Sequence, residues 1–265
     1  MPDSLFVEER RRIILDQLKQ KGRVSVKELS QAMQVSTVTI RQDLRTLEES
    51  GLLERTYGGA VRRENAGVFP ELSFHVRLNK KRRDKDAIAA YAVDFVRDGY
   101  SIALDGSTTA FSLVGLLKAF RKITIVTNSL IIAQQFLDAP HVQVYLPGGR
   151  LRRDSISIVG SPDTLPDINL NVGFFGARGI AMTNGITDVD ADEVSIKQAM
   201  MAHCVSSIIL VDGTKWGQVA PYTMARFSQV ERIITSDDAP GELVAAVRAA
   251  GTRVDVVNVS QRNGG

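Results

Sequence analysis

From Ser101 onward, short apolar runs rich in β-branched residues recur, each ending in a polar or glycine-rich turn and separated from the next by a stretch with helical spacing. The plain ones are Ser101 to Leu104, Ile123 to Val126, Val142 to Leu146, Val172 to Phe175, Ser207 to Val211 and Arg232 to Thr235, with Val254 to Val259 as a further candidate. Runs that are apolar throughout, rather than alternating, belong to strands covered on both faces, so the pattern predicts an α/β domain built on a mainly parallel sheet. The turns after the runs are Asp105-Gly106-Ser107-Thr108-Thr109, Thr127-Asn128-Ser129, Pro147-Gly148-Gly149-Arg150, Gly176-Ala177-Arg178-Gly179 and Asp212-Gly213-Thr214-Lys215. Ligands of open α/β sheets bind outside the carboxyl ends of the strands, so these loops are expected to converge on one pocket.

The first sixty residues follow another rule. Apolar residues recur at helical spacing from Glu8 to Gln20, with Gly22 as a stop, and again from Val26 to Met33. After Gln34-Val35, Ser36 is a good N-cap for a third helix with an inner face of Ile40, Leu44 and Leu47. Leu52 through Val61 reads as strand, glycine turn and strand, a β-hairpin wing on a three-helix core. The expected organisation is a winged helix-turn-helix domain over 1–62, a charged linker over 63–85 around Pro70, and an α/β domain over 86–260.

Composition is that of a globular protein, with 44% hydrophobic and 24% charged residues. Net charge is only +3, but basic residues gather at Arg10 to Arg12, at Arg62-Arg63 and from Lys80 to Lys85. One cysteine, Cys204, excludes an intrachain disulfide and fits a reducing, cytoplasmic compartment, while His75, His141 and His203 are too scattered for a metal set. No metal or cofactor is expected, and no apolar stretch approaches the ~20 residues that span a bilayer. Cys204 and His203 are read as packing residues.

On the third helix, the face opposite Ile40, Leu44 and Leu47 carries Val38, Gln42 and Arg45, flanked by Arg41 and Thr46, with Ser36, Thr37 and Thr39 at the N-terminus. A helix of this kind fits the major groove, where arginine pairs with guanine and glutamine with adenine, and hydroxyls meet phosphates. A solvated amphipathic helix would look similar in isolation, and the trihelix and wing around it favour DNA. Tyr57 at the wing tip suits a DNA contact or a ring packed on its own hairpin.

In the second domain, Gly106 permits close approach of backbone, and the hydroxyls of Ser107, Thr108 and Thr109 at a helix start make an anion cradle without the lysine of a nucleotide P-loop. Asp105 beside it suits a sugar hydroxyl better than a phosphate. Asp212 and Lys215 end another strand at the same edge, where Lys215 can neutralise an anion. Glu193 and Lys197 stand one helical turn apart, as a plain ion pair or as ligand-facing groups.

Taken together, Arg23 to Leu29, Val35 to Leu44, Leu52 through Gly58-Gly59-Ala60, and in the second domain Asp105 to Thr109, Val126 to Ser129, Gly148-Gly149, Gly160, Gly185 through Glu193 to Lys197 and Asp212 to Lys215 resemble the DeoR family of bacterial regulators over nearly the whole chain. Gln42 stands where many members carry a second arginine. The resemblance implies a repressor of carbohydrate-catabolism genes released from DNA by a phosphorylated sugar, on a sensor fold related to ribose-5-phosphate isomerase. The expected effector-binding set is Asp105, Gly106, Ser107, Thr108, Thr109, Asn128, Gly149, Arg150, Glu193, Lys197, Asp212 and Lys215; the DNA-binding set is Ser36, Thr37, Val38, Thr39, Arg41, Gln42, Arg45 and Tyr57.

The rival is a sugar-phosphate isomerase or related acyl-transfer enzyme with Asp105 or Glu193 as base and Lys215 as electrophilic group. Such an enzyme has no need of a winged helix. An RNA-binding or architectural role is disfavoured by the lack of aromatic stacking platforms. A homodimer or homotetramer is expected, because one winged helix covers only a short half-site.

Overall fold

The computed structural model describes residues 7–49, 52–61 and 74–259. The chain divides into two compact units, Met1–Val76 and Arg77–Gly265.

In the first unit, α1 (Val7–Lys21), α2 (Val26–Met33) and α3 (Thr37–Glu49) surround a core in which Ile14, Leu18, Leu29, Met33, Ile40, Leu44 and Leu47 are buried. The apolar spacing places these residues on the inner face of each helix. Ser36 Oγ accepts from the Thr39 amide at 3.0 Å and caps α3. The wing is β2 (Glu54–Thr56) and β3 (Gly59–Val61), turning at Gly58 with φ +87°, which glycine adopts without steric cost. A third strand, β1 (Arg23–Ser25), pairs with β3 in the order β1-β3-β2 and lies between α1 and α2. Three residues carry no readable period, so β1 is absent from the sequence reading.

The first basic cluster has an internal use. Arg10 and Arg11 on α1 reach the buried carboxylate of Asp43 on α3, at 2.5 and 3.1 Å. Asp43 therefore turns one face of α3 into an anchor for α1.

In the expected linker, residues 63–73 lie outside the described residues. From 74 the chain is helical, with α4 (Phe74–Asn79) and α5 (Arg82–Ala92). The charge run that suggested a linker is the outer face of α5, where Arg82, Arg83 and Asp86 are exposed, while Ile88, Ala89 and Ala92 enter the core.

The rest alternates strand and helix. The order is β4 (Ser101–Leu104), α6 (Thr108–Phe111), α7 (Val114–Leu117), β5 (Ile123–Thr127), α8 (Leu130–Gln135), β6 (Val142–Tyr145), the hairpin β7 (Arg150–Arg152) and β8 (Ser157–Val159), then β9 (Leu170–Gly176). It continues with β10 (Gly179–Ala181), β11 (Gly185–Asp188), α9 (Ala191–Ala202), β12 (Cys204–Val211), β13 (Tyr222–Ala225), β14 (Arg232–Ser236), α10 (Gly241–Ala249) and β15 (Arg253–Val257). Seven strands form a parallel sheet in the order β15-β14-β12-β9-β4-β5-β6, and all seven are the runs read from sequence. Side-chain parity divides the core: Ile208 and Leu210 face the α5–α8 layer, while Ile209 and Val211 face α9 and α10. The antiparallel sheet β10-β11-β13 and the hairpin β7-β8 are additions to this frame.

From β4 the chain winds outward through β5 and β6, then returns to the other side of β4 at β9. The strand order therefore reverses between β4 and β9, and the carboxyl ends of these two strands bound the crevice where ligands of such sheets bind.

Removing Asp43 leaves Arg10, 7% exposed, without that carboxylate. Asp43→Ala is expected to destabilise the N-terminal unit by about 3 kcal/mol, read as a lower urea midpoint for its unfolding transition. An unchanged midpoint would show that the α1–α3 ion pairs do not hold the unit.

Candidate functional site

At the carboxyl ends of β4 and β9, Asp105 is wholly buried, and its oxygens are occupied. Oδ1 accepts from the Ser107 amide at 3.1 Å and Oδ2 from the Gly176 amide at 2.9 Å, while Lys197 Nζ lies 2.8 Å from Oδ2. Lys197, on α9, also donates to Asp188 Oδ2 at 2.6 Å and to the Gly176 carbonyl at 3.1 Å. Arg178 stands 3.7 Å from the other Asp188 oxygen. Burial disfavours charge on Lys197, but Asp105, Asp188 and Glu193 outweigh it and hold its pKa above the usual lysine value. Burial likewise pushes the Asp188 carboxyl up, and Lys197 with Arg178 reverses this and leaves it below the usual carboxylate range.

The expected cradle is at this reversal. Ser107 Oγ accepts from the Ala110 amide at 3.1 Å and caps α6; Thr108 and Thr109 are buried behind it. Gly106 does provide close approach, and what approaches is Ser157: a Cβ at position 106 would lie 3.3 Å from the Ser157 Cβ and 3.8 Å from Asn128 Oδ1. Asn128 is buried, and its Oδ1 accepts no hydrogen bond among the described residues. A buried carbonyl oxygen without a donor is costly, and a ligand hydroxyl would satisfy it.

Glu193 and Lys197 are not paired by a salt bridge with each other. Glu193 Oε1 accepts from Ser157 Oγ at 2.7 Å and lies 3.5 Å from Arg152, which also meets Asp190 at 3.1 Å. These contacts fasten the β7-β8 hairpin to the start of α9. Gly149 and Arg150 belong to that fastening: Gly149 packs against the Val159 backbone, and Arg150 meets Asp192 at 2.9 Å on the surface. Asp212 caps the turn after β12 through the Thr214 amide at 3.0 Å, with Lys215 Nζ 4.0 Å from its other oxygen. Ser157, Arg152, Asp188 and Arg178 join this corner without a local signal of their own: Ser157 and Arg152 sit on three-residue strands, which carry no period, and Asp188 and Arg178 end or precede short strands outside the parallel sheet.

In the N-terminal unit, Thr37, Val38, Arg41, Gln42 and Arg45 are exposed on α3, Ser36 is exposed at its start, and Thr39 is half-buried. Val38 is 70% exposed, which leaves an aliphatic side chain facing outward among polar ones. Tyr57 at the wing tip is fully exposed, so the ring is not packed on its hairpin. Cys204 donates to the Met200 carbonyl, and burial pushes its thiol up to about 12, which suits packing and not reactivity.

A winged helix followed in the chain by a parallel α/β unit with a polar crevice at its strand reversal defines the class of DNA-binding regulators that carry a sensor unit. Residues 10–66 match the DeoR-like helix-turn-helix domain and residues 80–237 match the DeoR C terminal sensor domain. The chain belongs to the DeoR family of helix-turn-helix transcriptional regulators. It is 30% identical over 95% of its length to the HTH-type transcriptional regulator GolR of Listeria innocua, of which it covers 99%. It is also 30% identical over 94% of its length to a putative aga operon transcriptional repressor of Escherichia coli O157:H7, covering 93%. Among solved structures, ribose 5-phosphate isomerase A of Methanocaldococcus jannaschii matches 50% of this chain and 53% of its own at 17% identity and a TM-score of 0.37. No helix among the described residues is long and apolar enough to cross a membrane.

Lys197→Met would leave Asp105 and Asp188 buried without their shared cation. A loss of at least about 3 kcal/mol is expected at pH 7. In the wild type the depressed pKa of Asp188 contributes stability above its unfolded value that is lost as pH falls through the folded value. In the variant the Asp188 carboxyl loses the larger of its two cations and gains by protonation instead, so the gap between the two proteins should narrow from pH 7 to pH 4. Urea titrations across that range check it, and a gap that stays constant would contradict it.

Proposed function

We propose that this chain is a cytoplasmic, homo-oligomeric repressor of carbohydrate-catabolism genes that reads its operator through α3 and the wing and is released by a phosphorylated sugar bound at the β4/β9 crevice. The observation that carries the DNA reading is the outward row of α3. Arg41, Gln42 and Arg45 are exposed there, while the neighbouring Arg10 and Arg11 are engaged by Asp43. Ser36, Thr37 and Thr39 supply the phosphate-facing start of the helix, and Tyr57 the wing contact. For the effector, support comes from the strand reversal, the Ser107 to Thr109 hydroxyls and the unsatisfied Asn128 oxygen. The GolR and aga relatives carry regulator names, in keeping with a non-enzymatic role.

The burial of the acid groups also argues against an isomerase. A general base needs a lone pair within reach of a substrate proton. Asp105 has both oxygens taken by amides and Lys197, and Glu193 is buried against Ser157 and Arg152. A sugar hydroxyl at this edge would therefore meet Asn128 and not Asp105.

Arg41→Ala and Arg45→Ala should each weaken operator binding by ~1–3 kcal/mol with the melting temperature unchanged. Gel shifts at fixed moderate salt measure this, and wild-type affinity in both variants would remove α3 as the reading helix.

Ser107→Asp should give a repressor that binds operator but is not released. Aspartate keeps the helix cap, and its charge opposes an incoming phosphate. Operator affinity followed through titrations of pentose and hexose phosphates reads the outcome. A folded variant that released DNA like the wild type would place the effector elsewhere.

A further inference from the structure

The outward row of α3 is polar except at one position. With about 100° of rotation per residue, Val38, Arg41, Gln42 and Arg45 share about 100° of arc, opposite the buried Ile40, Leu44 and Leu47. Val38, the second residue of α3, is near the centre of that arc. Its side chain is 70% exposed and takes no part in the core of the N-terminal unit. Its position is fixed all the same. Ser36 Oγ accepts from the Thr39 amide at 3.0 Å and lies 2.8 Å from Thr39 Oγ1, so the turn that carries Val38 is capped on both sides of it.

A valine here does nothing for the helix. It is a poorer helix former than alanine, and its methyl groups stay in water. Single exposed aliphatic side chains are common on protein surfaces, but this one is flanked by the exposed guanidiniums of Arg41 and Arg45 and by the carboxamide of Gln42. Two cations suit a polyanionic duplex and would oppose an apolar protein surface.

The chemistry of the groove then selects a base. Valine neither donates nor accepts a hydrogen bond. In the major groove guanine, adenine and cytosine present nitrogen and oxygen acceptors and amino donors, and thymine alone adds a methyl group. Against a polar edge an isopropyl group displaces water and returns no bond; against the thymine methyl it buries apolar surface. One side chain thereby favours thymine and disfavours the other three bases at a single position.

We propose that Val38 is a specificity-determining residue that reads the 5-methyl group of one thymine in each operator half-site. This rests on the DNA reading given above and names one base of the operator. Residues at the start of a recognition helix meet base edges, as Val38 does at the second position of α3. Gln42 follows four residues later, about 6 Å along the helix axis, and bases of one strand are about 3.4 Å apart. The thymine therefore lies one or two base pairs from the base that Gln42 meets.

The test uses the full-length protein and a pool of randomised DNA duplexes. Binding sequences are selected from the pool with the wild type, Val38→Ala, Val38→Ile and Arg41→Ala. The wild-type sequences should hold one thymine per half-site that is free to vary in the Val38→Ala sequences and retained in the Val38→Ile ones, with the other positions unchanged. Arg41→Ala should relax a different position. Uracil in place of that thymine removes the methyl and keeps the base pair. Gel shifts with the substituted duplex should show wild-type binding weakened by about fourfold for one half-site and about fifteenfold for two, the loss of one buried methyl contact in each. Val38→Ala should bind the thymine and uracil duplexes equally, and its melting temperature should be no lower than that of the wild type, because the side chain is exposed.

If the wild type binds thymine and uracil duplexes alike at every position of the selected sequence, or if the uracil effect persists in Val38→Ala, the role of Val38 is overturned. A selected sequence that still changes with Arg41→Ala would then leave α3 as the reading helix. If the wild type enriches no sequence from the pool, the DNA reading itself falls, and this inference with it.

Discussion

The ammonium of Lys197, buried between Asp105 and Asp188, sets the geometry of the larger unit. It comes from α9, while its partners come from the end of β4 and the end of β11, and it also holds the last carbonyl of β9. One cation therefore ties a helix, two neighbouring strands of the main sheet and the antiparallel addition into a single corner. A charge taken out of water is tolerated only when its partners are close and its hydrogen bonds are made. Displacing any one partner would leave the others short of charge or hydrogen bonds.

A consequence is a division of labour among acidic groups that look alike in sequence. Asp105 and Asp188 serve Lys197, Glu193 and Asp190 serve Arg152 and the hairpin, and Asp238 joins α5 to the turn after β12. The groups at that edge outside these ion pairs are an unsatisfied amide oxygen at Asn128 and the capping hydroxyl of Ser107, which the function proposed above assigns to the effector. The same economy governs the smaller unit, where Asp43 engages Arg10 and Arg11 and so separates the arginines of α1 from the exposed arginines of α3.

The local period of the chain was legible to the residue in places. The range of α2, the cap of α3 at Ser36, the wing turn at Gly58 and all seven strands of the parallel sheet follow from apolar spacing and turn chemistry. These elements are long or doubly buried, and a buried face imposes a pattern that survives in sequence. The three-residue strands β1, β7, β8 and β10 carry no period. They form because a neighbouring strand presents a free edge, a fact located elsewhere in the chain. From Phe74 the stretch expected as linker is helical for a related reason, since the charges of α5 mark its solvent face and the apolar residues between them are few.

What periodicity and residue type decided, then, was that a winged helix precedes a parallel α/β unit, and that Ser107, Asn128, Asp212 and Lys215 stand at strand ends. Only the folded arrangement decided the partners. Whether Asp105 faces a sugar or a lysine depends on α9 arriving from more than eighty residues away, and whether Lys85 is a linker charge or a buried ammonium depends on Asp238 reaching back to Lys81. Electrostatic role is a property of distance and burial, and neither is encoded in local sequence. Spacing along a helix or strand is encoded there, because the backbone repeats every 3.6 or 2 residues whatever the rest of the chain does.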